Sequence, residues 1–80
     1  MQTIKIEYFA ILREQAGLDE ETVSTAATTV ADLYGELRER HGFAADAETL
    51  KVAVNDEFAD WDHVLGEHDV VVFIPPVAGG

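Results

Sequence analysis

The residues best suited to chemistry are the last two of the printed sequence, Gly79 and Gly80. Neither has a Cβ, so a carboxyl group on Gly80 would lie at the tip of a thin segment that a narrow channel can admit. The preceding Pro75 and Pro76 each fix φ at about −65° and favour an extended backbone. At roughly 3.3 to 3.6 Å per residue, residues 75–80 would reach about 20 Å from the folded body. The sequence therefore predicts a tail that enters the active site of another protein.

The rest of the chain offers little competing chemistry. It has no cysteine, which excludes disulfides, thiolate metal ligands and a cysteine nucleophile. His63 and His68 lie on either side of a predicted turn without a ligand partner at suitable spacing, so we expect no metal site. The acidic residues between Asp56 and Asp62 are typical of a solvated loop. No glycine-rich phosphate loop is present. These observations leave the tail as the predicted reactive group.

The charge of the chain restricts its partners. Sixteen acidic and five basic residues give a formal net charge of −11, which repels phosphate backbones and anionic lipids. We expect neither nucleic acid nor a membrane as a partner. The acidic surface either steers a basic protein partner or keeps the chain dissolved in a salt-rich cytoplasm, and both explanations remain open. Because no signal segment or apolar run of about 20 residues is present, we expect a cytoplasmic location.

The predicted strands precede and follow one main helix along the sequence. Alternating or continuous apolar residues mark the strands. They are Thr3–Phe9, Glu20–Ser24, Leu50–Asn55, Phe58–Ala59 and Val70–Ile74. In the first of them, Ile4, Ile6 and Tyr8 share the buried face. A short helical turn over 10–16 is predicted to end at Gly17.

The main helix is predicted to begin near Val30. Thr29 can accept a hydrogen bond from the amide of Asp32, and a carboxylate suits the first turn of a helix. An apolar stripe at positions i, i+3, i+4 and i+7 is formed by Val30, Leu33, Tyr34 and Leu37. His41 suits the last turn as a positive cap rather than a ligand, and Gly42 suits the left-handed position after it. Gly35 costs roughly 1 kcal/mol relative to Ala in a helix, which suggests a close approach to the sheet.

These elements predict an α+β fold, a mixed sheet of four to five strands with one main helix on one face. A single helix covers one face only, yet Val70–Ile74 is apolar on both faces, and Phe9 and Phe58 can add to the open side. Because large exposed apolar patches usually mark docking sites, we expect a second protein over the outer face. The alternation leaves open which of Phe73 and Ile74 points inward.

Several motifs resemble those of the MoaD-type sulfur carriers, the ubiquitin-like β-grasp small subunits of molybdopterin synthase. The motifs are Phe9-Ala10 with Arg13-Glu14, Ala53-Val54-Asn55, Asp62-His63 before Leu65, Asp69-x-Val71, and Phe73-Ile74-Pro75-Pro76-Val77-Ala78-Gly79-Gly80. The C-terminal motif is the most specific, since related thiamine-pathway carriers usually lack the Phe-x-Pro-Pro-Val sequence before the two glycines. One departure is His68-Asp69, where this family commonly has Gly-Asp, so His68 would need a positive φ.

The resemblance implies a sulfur carrier that is not catalytic alone but serves as the sulfur-donating subunit of a sulfurtransferase. A ubiquitin-activating-like enzyme would use ATP and magnesium to adenylate Gly80, and a sulfur donor protein would supply the sulfur of a thiocarboxylate. The large subunit of the synthase would then pass this sulfur to cyclic pyranopterin monophosphate. No cofactor is expected on this chain.

The predicted organisation is a β-grasp domain over 1–74 and an extended tail over 75–80. Gly80 carries the reaction, with Gly79 beside it. The predicted partner-binding residues are Phe9, Phe58, Ile74, Pro75, Pro76, Val77 and Ala78. Three alternatives remain open: a ubiquitin-like modifier joined through Gly80 to lysines, a sulfur carrier of a thiamine or tRNA pathway, and a non-catalytic interaction module.

Overall fold

The computed structural model describes residues 1–76, and their fold confirms the predicted α+β class. In chain order the elements are β1 (Gln2–Tyr8), α1 (Ala10–Ala16), β2 (Glu20–Thr25), α2 (Val30–His41), a 3₁₀ turn (Ala47–Thr49), β3 (Lys51–Val54), β4 (Glu57–Ala59) and β5 (Val70–Ile74). Each predicted strand is present, and each of its ends differs from the prediction by at most one residue. The predictions for residues 77–80 lie outside the described residues.

The five strands form one mixed sheet in the order β2-β1-β5-β3-β4. Strand β5 runs parallel to β1 and antiparallel to β3, so it is the central strand of the sheet. The register pairs Tyr8 with Phe73, so β1 and β5 end at the same edge of the sheet. Phe73 is fully buried against the core, whereas Ile74 is half-buried on the outer face. This settles the orientation that the alternation left open.

Helix α2 covers the inner face and has the predicted ends. The amide of Asp32 donates to Thr29 Oγ1 (3.2 Å), and the amide of Thr29 donates to Asp32 Oδ2 (3.3 Å), which completes a capping box. Gly42 adopts a left-handed conformation with φ of 70°, and its amide donates to the carbonyl of Arg38. The predicted apolar stripe is buried: Val30, Leu33, Tyr34 and Leu37.

The loop between β4 and β5 fastens the start of α2 to the sheet. The first amides of a helix lack partners within the helix. Here the amide of Val30 donates to the carbonyl of His63 (3.1 Å). The amide of Ala31 donates to the carbonyl of Trp61 (2.9 Å). The Trp61 ring stacks on Phe73 with centroids 5.9 Å apart, so the loop contributes to the core as well as to the cap.

The turn before β5 has the positive φ expected at His68. Its φ is 66°, and its amide donates to the carbonyl of Thr3 (2.8 Å). Asp69 holds the same turn, because its carboxylate accepts from the side-chain amide of Asn55 (2.9 Å) and from the amide of Gly66 (2.7 Å). This hydrogen bonding offsets the strain of a left-handed non-glycine residue.

The predicted close approach of α2 to the sheet at Gly35 is wrong. Gly35 faces solvent, and a Cβ added there would meet no atom within 4 Å. The inner contacts come instead from the apolar stripe. Gly35 therefore weakens the helix without a compensating contact in the described part of the chain.

We expect Gly35→Ala to raise the free energy of unfolding by about 1 kcal/mol, since Ala loses less backbone entropy in a helix. For a domain of this size the melting temperature should rise by roughly 4–8 °C. Urea and thermal unfolding measure both quantities. Gly42→Ala is the control and should destabilise, because Gly42 has a φ of 70°. A Gly35→Ala variant no more stable than the wild type would contradict this expectation.

Candidate functional site

The tail begins at the centre of the sheet. Strand β5 is hydrogen-bonded to a strand on each side, so the chain that follows Ile74 leaves from a rigid base. Pro75 is buried and Pro76 is exposed. The predicted reactive residues, Gly79 and Gly80, lie outside the described residues. Their assignment stays a prediction, as does the domain boundary that we placed after residue 74.

An apolar strip crosses the outer face of the sheet and leads to the tail. The register places Val72 opposite Ala53, and Ala53 opposite Phe58. Val70, Val72 and Ile74 are half-buried on this face, and Phe58 is 76% exposed. We call this surface the outer strip; its members are Val70, Val72, Ile74, Ala53 and Phe58. It is the exposed apolar surface that the sequence predicted on the side away from α2.

Of the predicted partner-binding residues, Ile74 and Phe58 lie in the outer strip and Phe9 lies next to it. Phe9 is 48% exposed and continues β1 in an extended conformation, level with Ile74 on β5. Phe58 lies two strands from Val72, a separation of about 10 Å. Val77 and Ala78 are outside the described range. The sequence prediction missed Val72 and Ala53, which become recognisable only when the strand order is known.

A cavity lies where the tail leaves the sheet. It measures about 250 Å³, and its lining is Thr49, Lys51, Ile74, Pro75 and Pro76. We call it the tail-root cavity. Ile74 belongs to both the cavity and the outer strip, so the two form one continuous surface. The Nζ atom of Lys51 also lies 5.9 Å from the centroid of the Phe58 ring, which connects the cavity to the far side of the strip.

A polar cluster on the inner side joins the end of α2 to β1 and β2. Tyr8 donates to Glu21 Oε2 (2.6 Å), and His41 Nε2 lies 2.5 Å from the same oxygen. Arg40 lies 3.6 Å from the other carboxylate oxygen. Burial, followed by the hydrogen bond and charge of Glu21, raises the pKa of Tyr8, so the phenol stays protonated and donates. His41 is in the last turn of α2 as predicted, but its contact with Glu21 was not predicted.

Two classes of site find no support among residues 1–76. No three His, Asp or Glu side chains in this range come close enough to hold a metal ion. Neither α1 nor α2 is long and apolar enough to cross a membrane. Among the described residues, the outer strip and the tail-root cavity are exposed apolar features that a partner could contact.

Comparison with protein families decides the relationship of this chain to known proteins. The model of the ThiS family matches residues 6–80. The chain belongs to the ThiS family. Two relatives of known name cover nearly the whole chain, and both are called molybdopterin synthase sulfur carrier subunit. The relative from Escherichia coli (strain K12) is 36% identical in an alignment of 80 positions that covers 96% of this chain and 99% of the relative. The relative from Mycobacterium tuberculosis (strain ATCC 25618 / H37Rv) is 34% identical in an alignment of 83 positions that covers 100% of each.

Solved structures confirm the ubiquitin-like β-grasp fold of this ThiS-family chain. The putative molybdopterin converting factor, subunit 1, from Pyrococcus furiosus has a TM-score of 0.80 and 33% identity, covering 96% of this chain and 100% of that one. SAMP1 from Haloferax volcanii has a TM-score of 0.81 and 26% identity, covering 98% and 99%. A complex of subunits 1 and 2 of molybdopterin-converting factor from Helicobacter pylori 26695 contains a chain with a TM-score of 0.71 and 24% identity, covering 99% and 100%, which is a likeness of fold.

Proposed function

We propose that this chain is the sulfur carrier subunit of a molybdopterin synthase. The observation that carries the proposal is the full-length similarity, at 36% and 34% identity, to two proteins of that name. The geometry supports it, because a central strand leads directly into Pro75 and Pro76 at the edge of an exposed apolar surface. A tail with such a base can be presented to a second protein without disturbing the domain.

The proposed chemistry takes place on the carboxyl group of Gly80. A carboxylate is a poor electrophile, so an activating enzyme first joins it to the α-phosphate of ATP, with magnesium, and releases pyrophosphate. Sulfur at the sulfide level, released by a donor protein, then displaces AMP and leaves a thiocarboxylate. This sulfur passes to cyclic pyranopterin monophosphate in the large subunit, and water supplies the oxygen that returns Gly80 to a carboxylate. ATP and magnesium act in the activating enzyme, and this chain provides only the carrier group.

The proposed partner over the outer strip is the large subunit of the synthase, and at another stage the activating enzyme. The word subunit in the names of the two relatives supports an assembly of more than one chain. The structure of the Helicobacter pylori complex is described as one of subunits 1 and 2. With a net charge of −11, this chain would associate fastest with a partner that has basic side chains around its docking surface.

The direct test is the mass of the intact chain. It should be incubated with its activating enzyme, magnesium-ATP and a sulfur donor. We expect one oxygen-to-sulfur exchange at Gly80, and none when ATP is left out. The thiocarboxylate form of the chain should then convert cyclic pyranopterin monophosphate to molybdopterin in the presence of the large subunit. A chain whose mass never changes under these conditions would refute the proposed function.

We expect Phe58→Ala to weaken binding to the large subunit by about tenfold or more, because an exposed aromatic residue in an apolar strip is a typical binding hot spot. The change should not affect folding, since Phe58 is 76% exposed. Calorimetric titration measures the affinity. Val64→Ala is the control, because Val64 is 65% exposed but lies outside the outer strip. Equal affinities for both variants would argue against docking on the outer strip.

A protein modifier is the second candidate, favoured by the likeness to SAMP1, a small archaeal modifier protein. This function requires isopeptide bonds between Gly80 and lysines of other proteins. Lys51 is the last Lys or Arg in the sequence, so trypsin would leave residues 52–80 on an acceptor lysine. An Ala78→Arg variant shortens this remnant to two glycines, which mass spectrometry detects readily. Modified lysines in cells that make this variant would support the modifier. If the variant still takes up sulfur but no modified lysines are found, the modifier is excluded.

A further inference from the structure

The tail-root cavity is large enough to receive a side chain from another protein. Its volume is about 250 Å³, whereas a protein cavity of roughly 150 Å³ already accommodates benzene. The side chains of Ile74, Pro75 and Pro76 form apolar walls, and proline has no amide hydrogen to offer a polar ligand. The hydroxyl of Thr49 is already engaged, because it donates to the carbonyl of Asp46 (2.8 Å). The cavity therefore fits an apolar group.

One charged group, Lys51, stands at the rim of this cavity. The five Lys and Arg residues of the chain are Lys5, Arg13, Arg38, Arg40 and Lys51. The first four each have a carboxylate within 4 Å. Within residues 1–76, Lys51 has none, although the chain contains 16 acidic residues. An ammonium group that no carboxylate of residues 1–76 approaches within 4 Å, in so acidic a protein, points to an acidic group supplied from outside.

We propose that the docking protein inserts one apolar side chain into the tail-root cavity and pairs a neighbouring carboxylate with Lys51. The proposal rests on the proposed function, since the occupant is the large subunit of the synthase. Charge complementarity at Lys51 and continuity with the outer strip through Ile74 select this occupant over a free small molecule. The inserted group would press against Pro75 and Pro76, and so fix the direction in which the chain leaves the domain.

The charge at the rim can be tested with two variants that carry the same change. Lys51→Glu removes the proposed pairing. Lys5→Glu is the matched control: Lys5 lies on the same face of the sheet, but opposite Val70 at the far end of β5 and beside Glu20. We expect Lys51→Glu to weaken binding to the large subunit by at least about tenfold and Lys5→Glu by less than about threefold. The effect of Lys51→Glu should diminish at high salt, because exposed charges are screened.

The cavity itself can be tested by filling it. Thr49→Phe places a ring in the space that the partner would use, and Glu48→Phe adds the same ring to an exposed neighbour outside the lining. We expect Thr49→Phe to weaken binding to the large subunit by about tenfold or more, and Glu48→Phe to leave it within about threefold. Urea unfolding of both variants separates loss of binding from loss of folding.

The outcomes distinguish this inference from the function on which it rests. If the wild-type chain accepts sulfur and binds the large subunit, but either Lys51→Glu or folded Thr49→Phe binds equally well, the inference is wrong and the function stands. If the wild-type chain neither takes up sulfur nor binds the large subunit, the proposed function fails, and the inference with it. Selective weakening of both variants relative to their controls supports the inference.

Discussion

A chain that lacks Gly79 and Gly80 will take up no sulfur, yet it will unfold at the same urea concentration as the full chain. The truncated chain still offers a carboxylate, on Ala78, but that group is about 7 Å short of the proposed position. The core cluster extends from Ile4 to Phe73, so its packing does not depend on the removed residues. We expect sulfur uptake below detection and a free energy of unfolding within about 0.5 kcal/mol of the wild type.

A single substitution at residue 80 separates the effect of tail length from the effect of side-chain size. Gly80→Ala keeps the length of the tail but adds a Cβ beside the reacting carboxyl group, and we expect its rate of adenylation to fall by about tenfold or more. Intact-mass analysis at timed intervals measures the rate. Val64→Ala, an exposed change outside the outer strip and the tail-root cavity, should be adenylated at the wild-type rate. If the chain that lacks Gly79 and Gly80 takes up sulfur normally, the reactive group lies elsewhere and the proposed chemistry is refuted.

Helix α2 shows what the sequence predicts well. Its limits depend on neighbours in the chain: Thr29 and Asp32 form a capping box, and Gly42 takes the left-handed position after the last turn. The apolar period of the helix likewise fixes its buried face without reference to the sheet. Local hydrogen bonding and side-chain spacing are therefore sufficient for α2, and local apolar patterns likewise made the strands predictable. The positive φ at His68 was expected only from the family resemblance.

The docking surface shows where local patterns become insufficient. Val72 and Ala53 face each other only because β5 lies between β1 and β3. That order results from the packing of distant segments, and no property of either strand alone specifies it. The same applies to Lys51. Whether a carboxylate of residues 1–76 lies within 4 Å of its ammonium group depends on the positions of all the acidic side chains around it. The prediction at Gly35 was wrong because a missing side chain was taken as evidence of a contact.

Glu21→Gln should cost about 2 kcal/mol of folding stability at pH 7, the largest effect that we expect from one side chain outside the apolar core. The carboxylate of Glu21 accepts from Tyr8 (2.6 Å) and from His41 (2.5 Å), and hydrogen bonds to charged groups contribute about 1.5–3 kcal/mol. A glutamine presents one oxygen to the two donors and no charge to Arg40. Urea unfolding measures the loss. Glu20→Gln is the control, since Glu20 pairs on the surface with Lys5 and should change stability by less than about 0.5 kcal/mol.

The pH dependence of this loss identifies the charge of Glu21 as its source. Burial alone raises the pKa of Glu21, but hydrogen bonds from Tyr8 and His41, with the charges of His41 and Arg40, outweigh it and lower the pKa below its ordinary 4.5. The folded chain thus binds this proton less tightly than the unfolded chain, so the stabilisation is complete above pH 4.5 and is lost as the pH falls through the lowered pKa. The difference between wild type and Glu21→Gln should therefore decrease as the pH falls below about 4.5. A difference that persists unchanged in acid, or that Glu20→Gln reproduces, would show that the cluster stabilises the fold through packing rather than through the charge of Glu21.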